Sequence, residues 1–286
     1  MAPETNQPIA TAGIVRHPHI PAAGPLASEI AHAVRQCGAE VWVTEGLGEP
    51  GVAQRVAETD LLVTLGGDGS ILRAAGAAAG HGTLILGVNL GRMGFLTEAE
   101  PEGWKDVLPQ VLQGDYWVEE RMMLRAEARR EAEVLARGDA LNDVVVGQGA
   151  LGRVVRLEVR VDSDLLTTYV TDALIVATPT GSTAYALAAG GPIMPPQQRN
   201  VLLVPVAPHL SLDRAVVLAE GVQVQVIVHG HSPAALTLDG ETIVELAAGD
   251  LVHVGASPHV ARFARVRERD YFYRTLMARL VPRERG

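Results

Sequence analysis

At 286 residues, 48% apolar and 20% charged, the chain has the balance of a folded protein of roughly two domains, not of a disordered segment. Its net charge of −9 argues against nucleic acid as a partner, and no run approaches the roughly 18 uninterrupted apolar residues of a membrane span. Met1–Ala12 lacks a basic stretch followed by an apolar one, so no signal peptide is expected and the expected location is cytoplasmic.

In chain order, Ala12–Arg16 reads as a short strand. Pro25–Cys37 reads as a helix closed by Gly38, with Cys37 expected as buried packing. Glu40–Thr44 is a strand. Leu61–Leu65 and Leu84–Val88 are the continuous apolar runs of buried parallel strands. Between them Ser70–Ala79 is Ala-rich and helical, and Trp104–Leu112 reads as a further helix. Such alternation predicts a doubly wound α/β domain over residues 1–118. After residue 118 the period becomes two, at Leu124–Glu131, Val154–Asp162, Leu165–Val176, Val222–Val228 and Leu236–Val244. Turn residues separate them, as in Gly147-Gln148-Gly149 and Asp239-Gly240, and the pattern predicts a second, mostly antiparallel β domain over 119–266, with a short helix at Thr180–Ala189. The last stretch, 267–286, carries apolar residues at loose helical spacing and is expected to pack back on the first domain. Residues 261–286 hold eight arginines against three acids. That balance reads as a solvated helix face, or as attraction for an acidic or phosphorylated partner.

Several chemistries are excluded by what is missing. One cysteine, Cys37, permits no internal disulfide and no all-cysteine metal site. One lysine, Lys105, and the absence of a G-x-x-x-x-G-K-[ST] string exclude a Walker-type NTPase. The string Gly147-Gln148-Gly149-Ala150-Leu151-Gly152 spells G-x-G-x-x-G but lies between strands and opens no helix. It is read as a hairpin connection. Pro208-His209-Leu210-Ser211-Leu212-Asp213 lacks the nucleophile elbow of a hydrolase. His229 and His231 have no third metal ligand nearby.

Three loops carry chemistry. Gly66-Gly67-Asp68-Gly69-Ser70 follows a buried strand and opens a helix. Its glycines allow close backbone approach, and its N–H groups favour a phosphate. Asp68 would repel that phosphate, which makes sense if it holds a bridging metal ion or takes a proton from an attacking hydroxyl. The bland alternative is a helix N-cap. Gly87-Val88-Asn89-Leu90-Gly91-Arg92-Met93-Gly94-Phe95-Leu96-Thr97 follows the next strand, at the same carboxyl edge where α/β sheets bind ligands. Thr178-Pro179-Thr180-Gly181-Ser182-Thr183-Ala184-Tyr185, with Gly190-Gly191-Pro192, offers hydroxyl donors and an aromatic ring. Asn142-Asp143 pairs an amide with a carboxylate and suits a vicinal ribose diol. Asp172 sits before an apolar run. Asx turns are the alternative for both acidic sites.

Together these segments resemble the NAD kinase family from about Ala12 to Leu280. Pro208-His209-Leu210-Ser211, Asp239-Gly240 and Tyr273–Leu280 also fit that resemblance. It implies a fold of class α/β plus β: a Rossmann-like N-terminal domain and a β-rich, sandwich-like C-terminal one. It implies transfer of the terminal phosphoryl group of ATP, or of polyphosphate, to the 2′-hydroxyl of the adenosine ribose of NAD. Asp68 matches the family's general base. Gly66, Gly67, Gly69 and Ser70 would cradle the phosphate. Asp68, Gly69, Arg73, Asn142, Asp143, Arg153, Asp172, Thr183, Ala184, Tyr185, Ala188 and Glu241 fall at ligand-binding positions. Mg²⁺ is expected to be carried mainly by the phosphates, with Asp68 as its candidate protein ligand and no dedicated metal site. The expected partners are NAD and ATP or polyphosphate, with no nucleic acid and no membrane, in a homodimer or homotetramer. Three positions depart from the family pattern. Ala173 follows Asp172 in place of glycine, Val170 replaces a basic residue, and Glu241 replaces glutamine. A lipid or sugar kinase sharing the Gly-Gly-Asp-Gly loop and a non-catalytic NAD(P)-binding protein are the competing readings.

Overall fold

A computed structural model describes residues 6–91, 94–149, 154–209, 212–230 and 232–280. The chain divides into two compact units, Met1–Glu120 with Ala261–Gly286, and Arg121–Val260. The first unit runs β1 (Thr11–Arg16), α1 (Ala23–Gln36), β2 (Glu40–Thr44), α2 (Val52–Ala57), β3 (Leu61–Gly66), α3 (Asp68–Ala78), β4 (Leu84–Asn89) and α4 (Trp104–Leu112). Its strands are parallel in the order β2-β1-β3-β4. Every residue of β3 and β4 is buried, which is why their sequences are apolar without alternation. Helix α1 buries Ala23, Ala27, Ile30, Ala31 and Val34, a stripe at the spacing of one helix face. Gly38, at φ +86°, takes the left-handed position past its end. Gly87 lets α3 approach β4 closely, since a Cβ there would lie 2.4 Å from Ile71 Cδ1.

The chain continues through β5 (Trp117–Arg130), β6 (Glu133–Ala140), β7 (Asp143–Gln148), β8 (Val155–Val161), β9 (Asp164–Thr171) and β10 (Ala173–Ala177). A 3₁₀ turn (Gly181–Thr183), α5 (Tyr185–Ala188), β11 (Val201–Val206), β12 (Val216–Leu218), β13 (Val224–His229), β14 (Ala234–Leu238) and β15 (Glu241–Leu246) follow. Strand β16 (Leu251–Arg265) and α6 (Tyr271–Leu280) end the described chain. In the second unit one six-stranded antiparallel sheet has the order β12-β11-β10-β7-β14-β15. Strands β9, β8, β13 and the first part of β16 form a second antiparallel array. Val144, Val146, Val176 and Leu236 of the former share one core with Leu157, Val159, Val226 and Val252 of the latter. The period-two pattern follows from this, because each strand buries one face. In the first unit, the end of β16 adds a parallel strand beside β4, pairing Arg262 with Leu84 and Phe263 with Ile85.

Three expectations are corrected. Cys37 is exposed, not buried; it follows the last helical residue, where the α1 stripe has already turned away. Leu165–Val176 is two strands in two different arrays, not one. The chain changes arrays at Asp172, and Thr171 Oγ1 donates to Ala173 O at 2.9 Å to fix the corner. The stretch Leu236–Val244, by contrast, is β14 and β15 joined at the expected turn Asp239-Gly240, both residues at positive φ. Thr180–Ala189 is a 3₁₀ turn and one α-helical turn, interrupted at Ala184.

Candidate functional site

In the first unit, Asp68 is the first residue of α3 and Gly67 is the N-cap. The N-cap role expected as the alternative for Asp68 therefore belongs to its neighbour. The Asp68 carboxylate instead reaches the loop after β4. It accepts the N–H of Phe95 at 2.9 Å and of Leu96 at 3.2 Å, one on each oxygen. Gly94 is packed against the same carboxylate, where a Cβ would stand 1.9 Å from Asp68 Oδ1. Gly66 must be small for another reason, since a Cβ would lie 2.3 Å from Ser70 Oγ. Gly67 and Gly69 are different. A Cβ on either meets nothing within 4 Å among the described residues, and Gly67 has an ordinary φ of −99°. Neither packing nor backbone conformation demands glycine there, and both face open space at a helix start. The Ser70 N–H is spent on the Gly67 carbonyl at 2.9 Å, but the N–H groups of Asp68 and Gly69 at the start of α3 have no intrahelical acceptor, so this space favours an anion. Ser70 is buried and Arg73 is exposed on the same helix.

The loop that meets Asp68 is fastened from behind. Arg265, 1% exposed, donates through Nε to Glu119 at 2.8 Å and through Nη1 to Glu98 at 3.0 Å and to the Leu96 carbonyl at 3.0 Å. Glu98 also accepts the N–H groups of Val266 and Arg267. Arg267 donates to the carbonyls of Thr97 and Glu98, and the Tyr271 hydroxyl donates to Glu119. Arg265 Nη2 is buried without an acceptor among the described residues, but the charge-assisted bonds made through Nε and Nη1 hold the members of the network in one arrangement. Leu96 is thus tied to Arg265 through its carbonyl and to Asp68 through its N–H. None of Glu98, Glu119 or Arg265 was singled out from sequence. The residues are far apart in the chain, and only the end of β16 running beside β4 joins them.

In the second unit, Asn142 and Asp143 open β7 on a rigid backbone. Asp239, at φ +49°, accepts the N–H groups of Leu141, Asn142 and Asp143 at 2.8, 2.7 and 3.2 Å. Thr178 Oγ1 donates to the Leu141 carbonyl at 2.6 Å, and the Thr178 N–H donates to the Asn142 carbonyl. Gly181 is packed on that carbonyl so closely that a Cβ would lie 2.0 Å from it. The Thr-Pro-Thr-Gly segment therefore serves Asn142 by clamping its backbone. Asp143 is 5% exposed. Burial first, and then the Asp239 carboxylate, push its carboxyl up to about 7. Burial also raises Asp239, against the lowering effect of its three N–H donors.

The second face of the six-stranded sheet in this unit is partly covered by a smaller apolar cluster that includes Ile175, Ala186 and Met194, and it also holds a cavity of about 380 Å³. Asp172 and Tyr185 line it, with Gly147, Gln148, Thr237 and Glu245. The structure thus places two predicted positions, Asp172 and Tyr185, in one cavity. Thr183, Ala184 and Ala188 lie on the short helical segment with Tyr185. Thr183 Oγ1 is spent on the Thr180 carbonyl at 3.1 Å. Glu241 is exposed at the start of β15, opposite Leu238, and does not line this cavity. Arg153 lies outside the described residues, as do Arg92, Met93, Ala150, Leu151, Gly152, Leu210, Ser211 and His231. His229 pairs with Glu158 at 3.1 Å, and Asp213 lies beside Arg214 at 3.5 Å.

Comparisons with known proteins agree across both units. Residues 12–116 match the ATP-NAD kinase N-terminal domain and residues 141–266 the ATP-NAD kinase C-terminal domain. The NAD kinase of Chloroflexus aggregans is 42% identical over 227 residues, covering 79% of this chain and 82% of that protein. The NAD kinase of Dehalococcoides mccartyi strain CBDB1 is 37% identical over 269 residues, covering 94% and 95%. An NAD kinase from Archaeoglobus fulgidus, solved in complex with ATP, superposes with a TM-score of 0.75 at 25% identity over 94% of this chain and 98% of that one. Yeast NADH kinase, solved with NADH, shares the fold with a TM-score of 0.84 at 24% identity, over 98% and 91%.

Proposed function

The chain belongs to the ATP-NAD kinase family, and on that premise we propose that it transfers the terminal phosphoryl group of ATP to the 2′-hydroxyl of the adenosine ribose of NAD. The observation that carries this reading is Asp68. Its carboxylate is fixed by two backbone N–H groups at a helix start, beside two glycines whose open space the fold does not use.

The chemistry is a displacement at phosphorus. The ribose 2′-oxygen attacks the γ-phosphorus, the bond from that phosphorus to the β,γ-bridging oxygen breaks, and ADP leaves. The hydroxyl proton passes to Asp68 as general base. Such a transfer needs positioning and charge neutralisation more than covalent help. Gly66, Gly67, Gly69 and Ser70 form the loop that cradles the phosphates, with the N–H groups at its glycines as donors, and Arg73 is the nearby cation in sequence. Asn142 and Asp143 bind the dinucleotide, with Asp143 accepting from ribose hydroxyls when ionised. Asp172, Thr183, Ala184, Tyr185 and Ala188 line the pocket for the rest of NAD, with Arg153 and Glu241 as further contacts.

Among the described residues no three His, Cys, Asp or Glu side chains gather as a metal cluster. Each Asp68 oxygen accepts one backbone N–H and keeps lone-pair capacity. That donor set suits Mg²⁺, which takes one or two carboxylates and otherwise substrate phosphates and water. Held there by Asp68, Mg²⁺ would supply neutralisation of the charge on the transferred phosphoryl group. A homodimeric or homotetrameric cytoplasmic enzyme completes the reading, and light scattering on the purified protein checks the assembly.

The test is NADP formation from NAD, ATP and Mg²⁺, read with an NADP-specific dehydrogenase, with polyphosphate in place of ATP as a second arm and a diacylglycerol as a third. NADP from either phosphate donor is the expected result. Phosphorylation of the lipid without NADP would overturn the assignment in favour of a kinase that shares only the loop.

A further inference from the structure

We propose that His17, in the turn after β1, donates through its Nε2–H to the phosphate chain of the phosphoryl donor, ATP or polyphosphate. This rests on the function proposed above and adds a donor-binding residue outside the glycine loop.

The strand order places His17. In the parallel array β2-β1-β3-β4 the connection leaving β1 runs to β2 on one side, and the connection leaving β3 runs to β4 on the other. Loops that part in opposite directions open a crevice at the carboxyl ends of the two strands, where open α/β sheets take their ligands. One wall of this crevice is the glycine loop, residues 66–70. The other is the turn His17-Pro18-His19. Arg16 and Leu65 are in register, and the His17 N–H donates to the Leu65 carbonyl at 3.0 Å. A Cβ on Gly66 would lie 3.6 Å from the His17 Cβ and 2.3 Å from Ser70 Oγ. The His17 side chain therefore leaves the sheet on the side where α3 begins.

The hydrogen bonding of the ring is half used. His17 Nδ1 accepts the His19 N–H at 3.2 Å. A ring nitrogen that accepts carries no proton, so the neutral imidazole bears its proton on Nε2. Among the described residues that N–H has no acceptor. The ring is half-buried, and the His19 ring packs edge-on against it, with centroids 5.9 Å apart. Other donors on this wall are few. Helix α1 starts after the same turn, but the Ala23 N–H is spent on the Ile20 carbonyl, the Leu26 N–H is spent on the Ala22 carbonyl, and Pro25 has none. Arg16 is paired with Glu45, and Lys105 with Glu29. A phosphate chain seated at the start of α3 presents acceptor oxygens in every direction. The His17 Nε2–H meets that need from the opposite wall, and a hydrogen bond to an ionised acceptor is of the strong kind.

The experiment measures KM for ATP, KM for NAD and the Ki of inorganic tripolyphosphate in competition with ATP, for wild type, His17→Asn and His17→Gln, with urea unfolding alongside. Asparagine can still accept the His19 N–H, as in an Asx turn, but stops short of the Nε2 position. Glutamine carries its NH₂ to about that position and gives up the Nδ1 acceptor. A hydrogen bond to a charged phosphate is worth about 10-fold. His17→Asn should raise KM for ATP and Ki for tripolyphosphate by that factor and leave KM for NAD and the unfolding midpoint unchanged. His17→Gln should keep both donor constants near wild type. A histidine that only shapes the turn gives the reverse, a near-wild-type asparagine variant and an impaired glutamine variant, and that result overturns the proposal. Equal losses in both variants overturn it too, as does a rise in KM for ATP without a rise in Ki for tripolyphosphate, which would put the contact on the nucleoside. These outcomes leave the kinase assignment standing. A folded wild type that makes NADP from neither ATP nor polyphosphate overturns the assignment itself, and this proposal with it.

Discussion

Replacing Gly94 by alanine would drive a methyl group into the carboxylate of Asp68. The new Cβ would stand 1.9 Å from Oδ1, 2.4 Å from Cγ and 2.6 Å from Oδ2. Side chains in packed interiors do not approach so closely, so the carboxylate must retreat by about an ångström. It cannot do so and keep its present bonds, because the N–H donors at 2.9 and 3.2 Å belong to Phe95 and Leu96, the next two residues. An overpacked site of this kind costs about 1–3 kcal/mol of stability. The rate should suffer more, since a misplacement of about 1 Å in a catalytic group can cost on the order of 100-fold. The assay is kcat at saturating NAD and ATP, with urea unfolding alongside. Gly67→Ala is the control. Its Cβ meets no described heavy atom within 4 Å, so its stability should stay within about 0.5 kcal/mol of wild type, while KM for ATP rises. A folded Gly94→Ala enzyme with kcat within threefold of wild type would refute the claim that Asp68 must hold this position.

Arg265→Met should cost about 3–5 kcal/mol in denaturant unfolding, because it removes the buried guanidinium that bridges two buried carboxylates, Glu119 and Glu98, the latter keeping only its pair with Arg267; a loss below about 1 kcal/mol would show that the network is not what fastens the loop. Asp143, pushed up to about 7 by burial and then by Asp239, gives two pH effects. Between about pH 4 and 7 the folded state holds a proton that the unfolded state has released, so the site's contribution to stability falls as pH rises and levels off above about 7, by up to about 4 kcal/mol. Asp143→Asn should therefore stabilise the protein at pH 8 and change little at pH 4, checked by unfolding at both. In the wild type KM for NAD should rise as pH drops below about 7, and in Asp143→Asn that dependence should disappear; persistence of the same pH profile would contradict the role given to the carboxylate.

The parts legible in the sequence are those set by local rules. Leu61–Leu65 and Leu84–Val88 could only be buried strands, and the glycines after them marked the loops that now flank Asp68. What sequence missed depended on distant partners. The acid at Asp172 fits a solvent-facing position of a period-two strand, so Leu165–Val176 looked continuous where the chain in fact changes arrays. Val52–Ala57 is under two turns with no capping side chain, and carried no signal of its own. Strand β16 contains Pro258, which reads as a break because proline cannot donate to a ladder, yet the strand continues to Arg265. Asp239 was noted only as a turn residue, and its three N–H bonds to Leu141–Asp143 emerge only once β14 lies beside β7. The buried cluster of Glu98, Glu119 and Arg265 had no local pattern to betray it.

Asp68 is the residue on which the account stands, and Asp68→Asn tests it most directly. The amide keeps the size of the side chain and an oxygen acceptor but cannot take the proton of the ribose hydroxyl. Turnover of NAD to NADP should fall by at least about 100-fold, while NAD binding measured by calorimetry stays within a few-fold of wild type. A variant that binds NAD and still makes NADP at near wild-type rate would contradict the assignment of Asp68 as the general base.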